Sequence, residues 1–410
     1  MKAAGLTLAA LLLAVLAVVL LTVPFPVLPG AHPHVDVARD FTPDQLSRER
    51  SFHAAVHLSA YASLVVSLVV AGLLGLTRLG SRLVGGMPGG WVVKAVLGTV
   101  VLLGLRRLAT LALDARTEVV LRRYGLSTQD WNGWISDQLR AFAIAAVVTS
   151  MVVVVLLALA RRLPGSWWAA GAVVTALLVG AGSYLYPVVV EPAFNSFTSL
   201  PAGPLRTDLL ALARRDGVPV KDVLVADASR RTTALNAYVS GFGSTRRIVV
   251  YDTLVRSASP REVELVVAHE LGHAKQQDVL HGTVIGALGG AAGICALFLL
   301  LSWAPLLRRV GASSSGDPRV LGLVLLLGAA APVLVSPLTN LVSRHIESRA
   351  DVHSLELTQD VPTFITSEQR LAAANLSNLS PGPLTYGLFY THPTSPERIA
   401  TAREWERLHR

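Results

Sequence analysis

"HELGHAKQQDVLHGTVIGALGGAAGICALFLLL", residues 269–301, opens as a candidate metal site and continues as a stretch fit for lipid. His269 and His273 are four residues apart, so a helix presents both imidazoles on one face, where they can grip one zinc ion. Glu270 follows His269 directly and can reach a metal-activated water as general base. A catalytic zinc needs three protein ligands and one open position, so a third ligand must lie elsewhere in the chain.

The surroundings are membrane-like throughout. Of 410 residues, 52% are hydrophobic and 15% charged, against about a quarter charged in a soluble domain. Seven apolar stretches are long enough to span a bilayer as helices: 4–29, 57–79, 91–113, 139–160, 167–190, 279–304 and 318–342. The first is too long for the apolar core of a secretion signal and reads as a retained helix. Arg106 and Arg107 in the third must face protein, water or headgroups. Gly282, Gly286 and Gly290 in the sixth form a small-residue row for close helix packing.

The net charge of +9 comes mostly from arginines scattered through loops. No basic patch interleaves with aromatics, so the charge speaks for membrane lipids as partners and against nucleic acid. The lone cysteine, Cys295, excludes an intrachain disulfide and a cysteine-based metal site.

"SRHIESRAD" (343–351) supplies the candidate for the third ligand, Glu347, with Asp351 four residues on. Glu347 and Asp351 share a helix face. One can bind zinc and the other can hold the free N–H of a ligand histidine. Topology supports the pair. Two spans separate His273 from Glu347, so the chain returns to the same membrane side. An odd number would part them by the bilayer core, about 30 Å. His345 and His353 read as surface or packing residues, and His32, His34, His53, His57, His281 and His409 lack a metal-spaced partner.

Two regions are not lipid-like: the loop 191–278 and the tail 343–410. The loop reads as an amphipathic helix (204–217) stopped by Gly217, then a short strand (221–227). "TTALNAYVSG" and "RRIVVYD" read as two strands joined by a turn at "FGST", and a helix starts near Pro260. The tail reads as an extension of the seventh span, a turn at "SPGPL" and a last helix over 395–409. Neither region buries much core alone, so they are expected to pack as one split domain.

These segments together resemble the type I CAAX prenyl protease family of integral-membrane zinc metalloproteases. The resemblance is carried by "RRYGLSTQDWNGWISDQL" (122–139), "PVVVEPAFNSF" (187–197), "NAYVSGFGSTRRIVVYDTLV" (236–255), "VVAHELGHAKQQD" (266–278), "SRHIESRAD" and "THPTSPERI" (391–399). The Glu-x-x-x-Asp pair itself resembles that of the gluzincins. The resemblance implies a mainly α, polytopic membrane protein. Seven transmembrane helices would form a barrel-like bundle around a chamber, with a small α+β metalloprotease domain built from 191–278 and the tail.

It implies one Zn²⁺ per chain on His269, His273 and Glu347, with Glu270 activating water and Asp351 behind a ligand. Asn236 would bind the substrate backbone, His392 would donate to the oxyanion and Arg398 would support the site. Ala234 and Tyr238, two residues to either side of Asn236, are taken with it as substrate-binding. A strand at a sheet edge suits that task, since it can hold a peptide extended by main-chain pairing.

The chain therefore divides into residues 1–190 (five spans), 191–278 (catalytic loop), 279–342 (spans six and seven) and 343–410. The expected activity is cleavage of membrane-associated or lipid-modified polypeptides. A broad-specificity quality-control protease and a transporter with a structural zinc site are the alternatives. Lys-poor, Leu/Ala/Val/Arg-rich composition points to a GC-rich bacterium and its cell membrane. A slight arginine excess, with the resemblance, places the active site toward the cytoplasm.

Overall fold

The long helices start where the sequence caps them. Thr42 and Gln45 form a reciprocal capping box ahead of Pro43, and Ser259 with Glu262 does the same ahead of Pro260. Asp130 accepts from the Gly133 amide to open another helix. The computed structural model describes residues 1–241 and 246–410. Among them, seven helices are long and apolar enough to cross a membrane.

The spans are Lys2–Thr22, Pro43–Leu76, Trp91–Arg123, Trp131–Arg162, Trp167–Phe194, Asp278–Leu301 and Pro318–Thr358. The seven match the expected stretches in order, but most run further. Hydropathy sees only the lipid-facing part of a helix, whereas capping decides where the helix stops. The first span is shorter than expected and ends at Thr22, ahead of Pro24 and Pro26.

The spans pack in a ring in the order first, sixth, fifth, fourth, third, second, seventh. The ring closes where Arg349 Nη1 of the seventh donates to the Thr22 carbonyl at 2.7 Å and Phe25 meets His345. No apolar window is more than 33% buried, so each span is part of a single-layer wall rather than a solid bundle. That is the expected barrel around a chamber.

Arg107 faces protein. It pairs with Asp114 and Gln138, while Ser63 Oγ donates to Asp114 at 2.9 Å, tying the second, third and fourth spans. Cys295 is fully buried as a packing residue. The glycine row splits. Cβ atoms on Gly286 and Gly290 would meet Val179 and Thr175 of the fifth span at 3.4 and 2.9 Å, but one on Gly282 would meet nothing. The two helices stay in contact up to a hydrogen bond between the Ser183 and Thr283 hydroxyls at 2.7 Å, beside which Gly282 leaves open space.

Four strands make one sheet in the order β1-β2-β4-β3, with β1 at Phe197–Ser199, β2 at Asp222–Ala226, β3 at Ala237–Ser240 and β4 at Arg247–Tyr251. β2 and β4 are parallel; the other pairs are antiparallel. β3 is an edge, as expected of that segment. The turn expected at 242–245 lies outside the described residues.

Leu209, Val223, Ile248, Val250, Val267 and Leu271 form the core beneath the sheet, and Leu357 and Leu371 of the tail pack against it. Loop and tail thus share one core. Val27 and Leu28 also pack against the cluster around Trp405, and Phe41 against Ile399.

Candidate active site

The motif helix, Pro260–Lys275, lies over the extension of the seventh span. A Cβ on Gly272 would meet His353 Cδ2 at 3.0 Å and Ala350 Cα at 3.3 Å, so the helices cross at glycine distance. The crossing gathers His269, His273 and Glu347. His269 Nε2 lies 3.1 Å from both Glu347 Oε2 and His273 Nε2, and His273 Nε2 lies 3.5 Å from Glu347 Oε2. Ligands about 2.0–2.2 Å from a tetrahedral ion stand about 3.3–3.5 Å apart. The triangle therefore fits a metal ion, and two imidazoles with one carboxylate are a donor set that leaves a position open.

Each imidazole is fixed from behind. His269 Nδ1 donates to Asp351 Oδ1 at 2.8 Å, and His273 Nδ1 donates to Asp278 Oδ2 at 2.9 Å. A carboxylate can only accept, so these bonds turn both Nε2 atoms to the centre. Asp351 is clamped by Arg398, whose Nε donates at 2.8 Å and whose Nη2 also bonds it. Arg398 Nη1 pairs with buried Glu368 at 2.7 Å. Arg349 pairs with Asp278 and, through the Thr22 carbonyl, with the end of the first span.

The motif helix does not run straight into the sixth span. It ends at Lys275, Gln277 takes a left-handed conformation (φ 57°), and the span starts at Asp278. That joint lets Asp278 fold back onto His273.

Burial alone would lower the pKa of His269. Bonds to Asp351 and Glu347 outweigh it and hold the imidazole up at about 9. His273 is likewise lowered by burial but held up at about 10 by Asp278 and Glu347. Burial raises the Glu270 carboxyl. The cluster draws cations strongly, and protons compete with a metal for it.

Two cavities of about 370 and 760 Å³ meet at the centre. Asn236, Glu270 and His392 line both. Glu270 makes no hydrogen bond or ion pair among the described residues and faces open space. His392 Nε2 comes within 3.2 Å of Glu347 Oε2. Tyr238 lines the larger cavity and donates to Glu191 at 3.4 Å.

Ala234 lines neither cavity: its carbonyl accepts from Thr253 Oγ1 and its N–H donates to Thr232 Oγ1. The stretch before β3 is not strand, because Thr233 bonds Leu126 and Leu235 bonds Asn375 instead. His353 packs against Asp216 at 3.0 Å, and half-buried His345 bonds its own helix.

Sequence reasoning missed three residues here. Asp278 and Arg349 sit inside the quoted motifs, and their spacing to His273 and Glu347 was the available signal. Glu368 carries no sequence signal, since only folding brings it to Arg398.

A ring of seven spans with a His-His-Glu centre at one membrane face defines a membrane-embedded metallopeptidase. Residues 199–406 match the model of peptidase family M48, and residues 45–196 match that of the CAAX prenyl protease N-terminal region with five membrane helices. The chain belongs to peptidase family M48 and is an integral-membrane metalloendopeptidase.

It is 31% identical over 326 residues to an uncharacterized metalloprotease, YhfN, of Bacillus subtilis, covering 77% of this chain and 76% of that one. It is 34% identical to a rice CAAX prenyl protease 1 homolog over 223 residues, 54% of this chain and 52% of the rice protein, so the match spans about half of each. The crystal structure of S. mikatae Ste24p has the same fold, with a TM-score of 0.80, 21% identity and 97% and 98% coverage of the two chains.

Proton competition sets a sign. The imidazoles must shed protons to bind a cation, so metal affinity should rise with pH from 6 to 8, by about ten- to hundredfold per unit. Chelator competition at fixed pH values reads this. In the same titration, Asp278→Asn should weaken metal binding about ten- to hundredfold.

Proposed function

We propose that this protein is a zinc-dependent endopeptidase that cleaves membrane-associated or lipid-modified polypeptides. The observation that carries the reading is the junction of two cavities at Glu270, unpaired among the described residues, beside the His-His-Glu triangle. Zinc held by His269, His273 and Glu347 would lower the pKa of a bound water and polarise the scissile carbonyl. Glu270 takes the water's proton and delivers it to the leaving amine. His392 donates a hydrogen bond to the developing oxyanion. Asn236, at the start of edge strand β3, holds the peptide backbone, and Tyr238 lines the path beside it. Asp351 orients His269. Arg398 acts through Asp351 and is a positioning residue.

The relatives' printed names favour CAAX-type substrates over broad quality control. A further cavity of about 550 Å³, lined by Gly182, Gly282, Tyr238 and Val279, adjoins the larger one through Tyr238 and Val279. It lies beside the joined ends of the fifth and sixth spans, where Gly182 and Gly282 carry no side chains, and would let a lipid-anchored chain reach β3 while its anchor stays in the bilayer. In this reading residues 1–190 and 279–342 build the wall, and 191–278 and 343–410 build the catalytic unit. We place that unit on the cytoplasmic side of a bacterial cell membrane, on the loop-arginine excess and composition.

Two outcomes test the reading. Glu270→Gln should keep its metal and lose peptide hydrolysis about a hundred- to ten-thousandfold; wild-type cleavage would sink the mechanism. Gly282→Trp should fill part of that cavity. Turnover of a membrane-anchored peptide should fall about tenfold or more, while a short soluble peptide is cut at the wild-type rate.

A further inference from the structure

A third region of the molecule, at the membrane face away from the metal centre, is charged without being used by the chemistry. The seventh span runs from there to Glu347, roughly 40 Å at helical rise. A cavity of about 730 Å³ lies between the turn after the second span, the start of the third and the start of the seventh. Arg78, Arg82, Lys94 and Arg319 line it, with Asp317 as its one lining carboxylate.

Asp317 is engaged by Arg319 and by Ser313, whose backbone and hydroxyl donate at 3.0 and 2.9 Å. Lys94 Nζ donates to the Gly85 carbonyl at 2.7 Å. Among the described residues, Arg78, Arg82 and Lys94 have no carboxylate within ion-pair distance. Arg78 and Arg82 are four apart on the helix Arg78–Gly85, hence on one face. Gly311 comes close to that helix, where a Cβ would meet Ser81 Oγ at 3.0 Å.

The cavity sits at the depth of headgroups. Trp91 lines it and starts the third span, with the Arg161 guanidinium 5.3 Å from its ring. Just beyond, Val92, Val93, Val96 and Leu97 of that span are exposed, a surface for acyl chains. A soluble anion would use the charges and leave this apolar wall idle.

We propose that this cavity binds the phosphate of an anionic phospholipid, with Arg78 and Arg82 as its principal contacts and the acyl chains along the third span. Basic pockets between spans at the headgroup level suit such lipids. The zwitterionic headgroup of phosphatidylcholine brings its own cation into a pocket already rich in them, so it binds less well.

Native mass spectrometry of the full-length protein in detergent tests this, with phosphatidylglycerol, phosphatidylcholine or inorganic phosphate added. The wild type should retain phosphatidylglycerol over phosphatidylcholine. Arg78→Gln/Arg82→Gln should lower that retention about tenfold or more, and Arg78→Lys/Arg82→Lys should restore most of it. Both positions are exposed and remote from the metal centre, so peptidase activity in detergent should hold and serves as the folding control. Equal retention of the two lipids by the wild type overturns the proposal. So does a preference that survives the glutamine variant with activity intact. Inorganic phosphate alone displacing phosphatidylglycerol would overturn the lipid assignment in favour of a soluble phosphate.

Discussion

The His-His-Glu triangle depends on how closely the motif helix crosses the extension of the seventh span. Gly272 sets that distance, since a side chain there would strike His353 and the Ala350 backbone. Buried Ser354 pins the crossing further by donating to the Leu265 carbonyl at 3.1 Å. With the helices at this separation, two imidazoles and a carboxylate from distant segments come within 3.1–3.5 Å of one another. A wider crossing would spread the triangle beyond what a single ion can bridge.

A second constraint is orientation. Three candidate ligands are of little use if the two imidazoles turn, and here each imidazole is held from its far side. Asp351 does this for His269 and is held by Arg398 and, through it, Glu368. Asp278 does it for His273 and is held by Arg349. The two supports differ in origin. One is built within the catalytic unit. The other joins the first, sixth and seventh spans, so the membrane wall itself aims an imidazole.

Much of this was legible in the sequence. His269, Glu270 and His273 are a local pattern whose helical spacing suffices to place them on one face. Glu347 was legible because the number of crossings between it and His273 is even. Strand β3 was legible as the first of two strand-like runs, yet its start was not: Thr233 and Leu235 spend their backbone groups on Leu126 and Asn375, partners no local pattern reveals. Asp278 was hidden by the left-handed Gln277, because a continuous helix would have carried it away from His273. Span ends were misjudged for a related reason. Hydropathy records contact with lipid, while Thr42, Asp130 and the helix extension past residue 342 obey capping and packing in water.

The parity of crossings that made Glu347 findable has a thermodynamic side. A metal bound to one helix before the sixth span and another after the seventh closes a covalent-like loop around both crossings. Cross-linking distant points of a chain removes conformational freedom from its loosened states. Metal binding at this triangle and the cohesion of the wall would then be one linked equilibrium. Stripping the ion would do more than silence the chemistry, because it would unfasten a segment of the barrel that carries it.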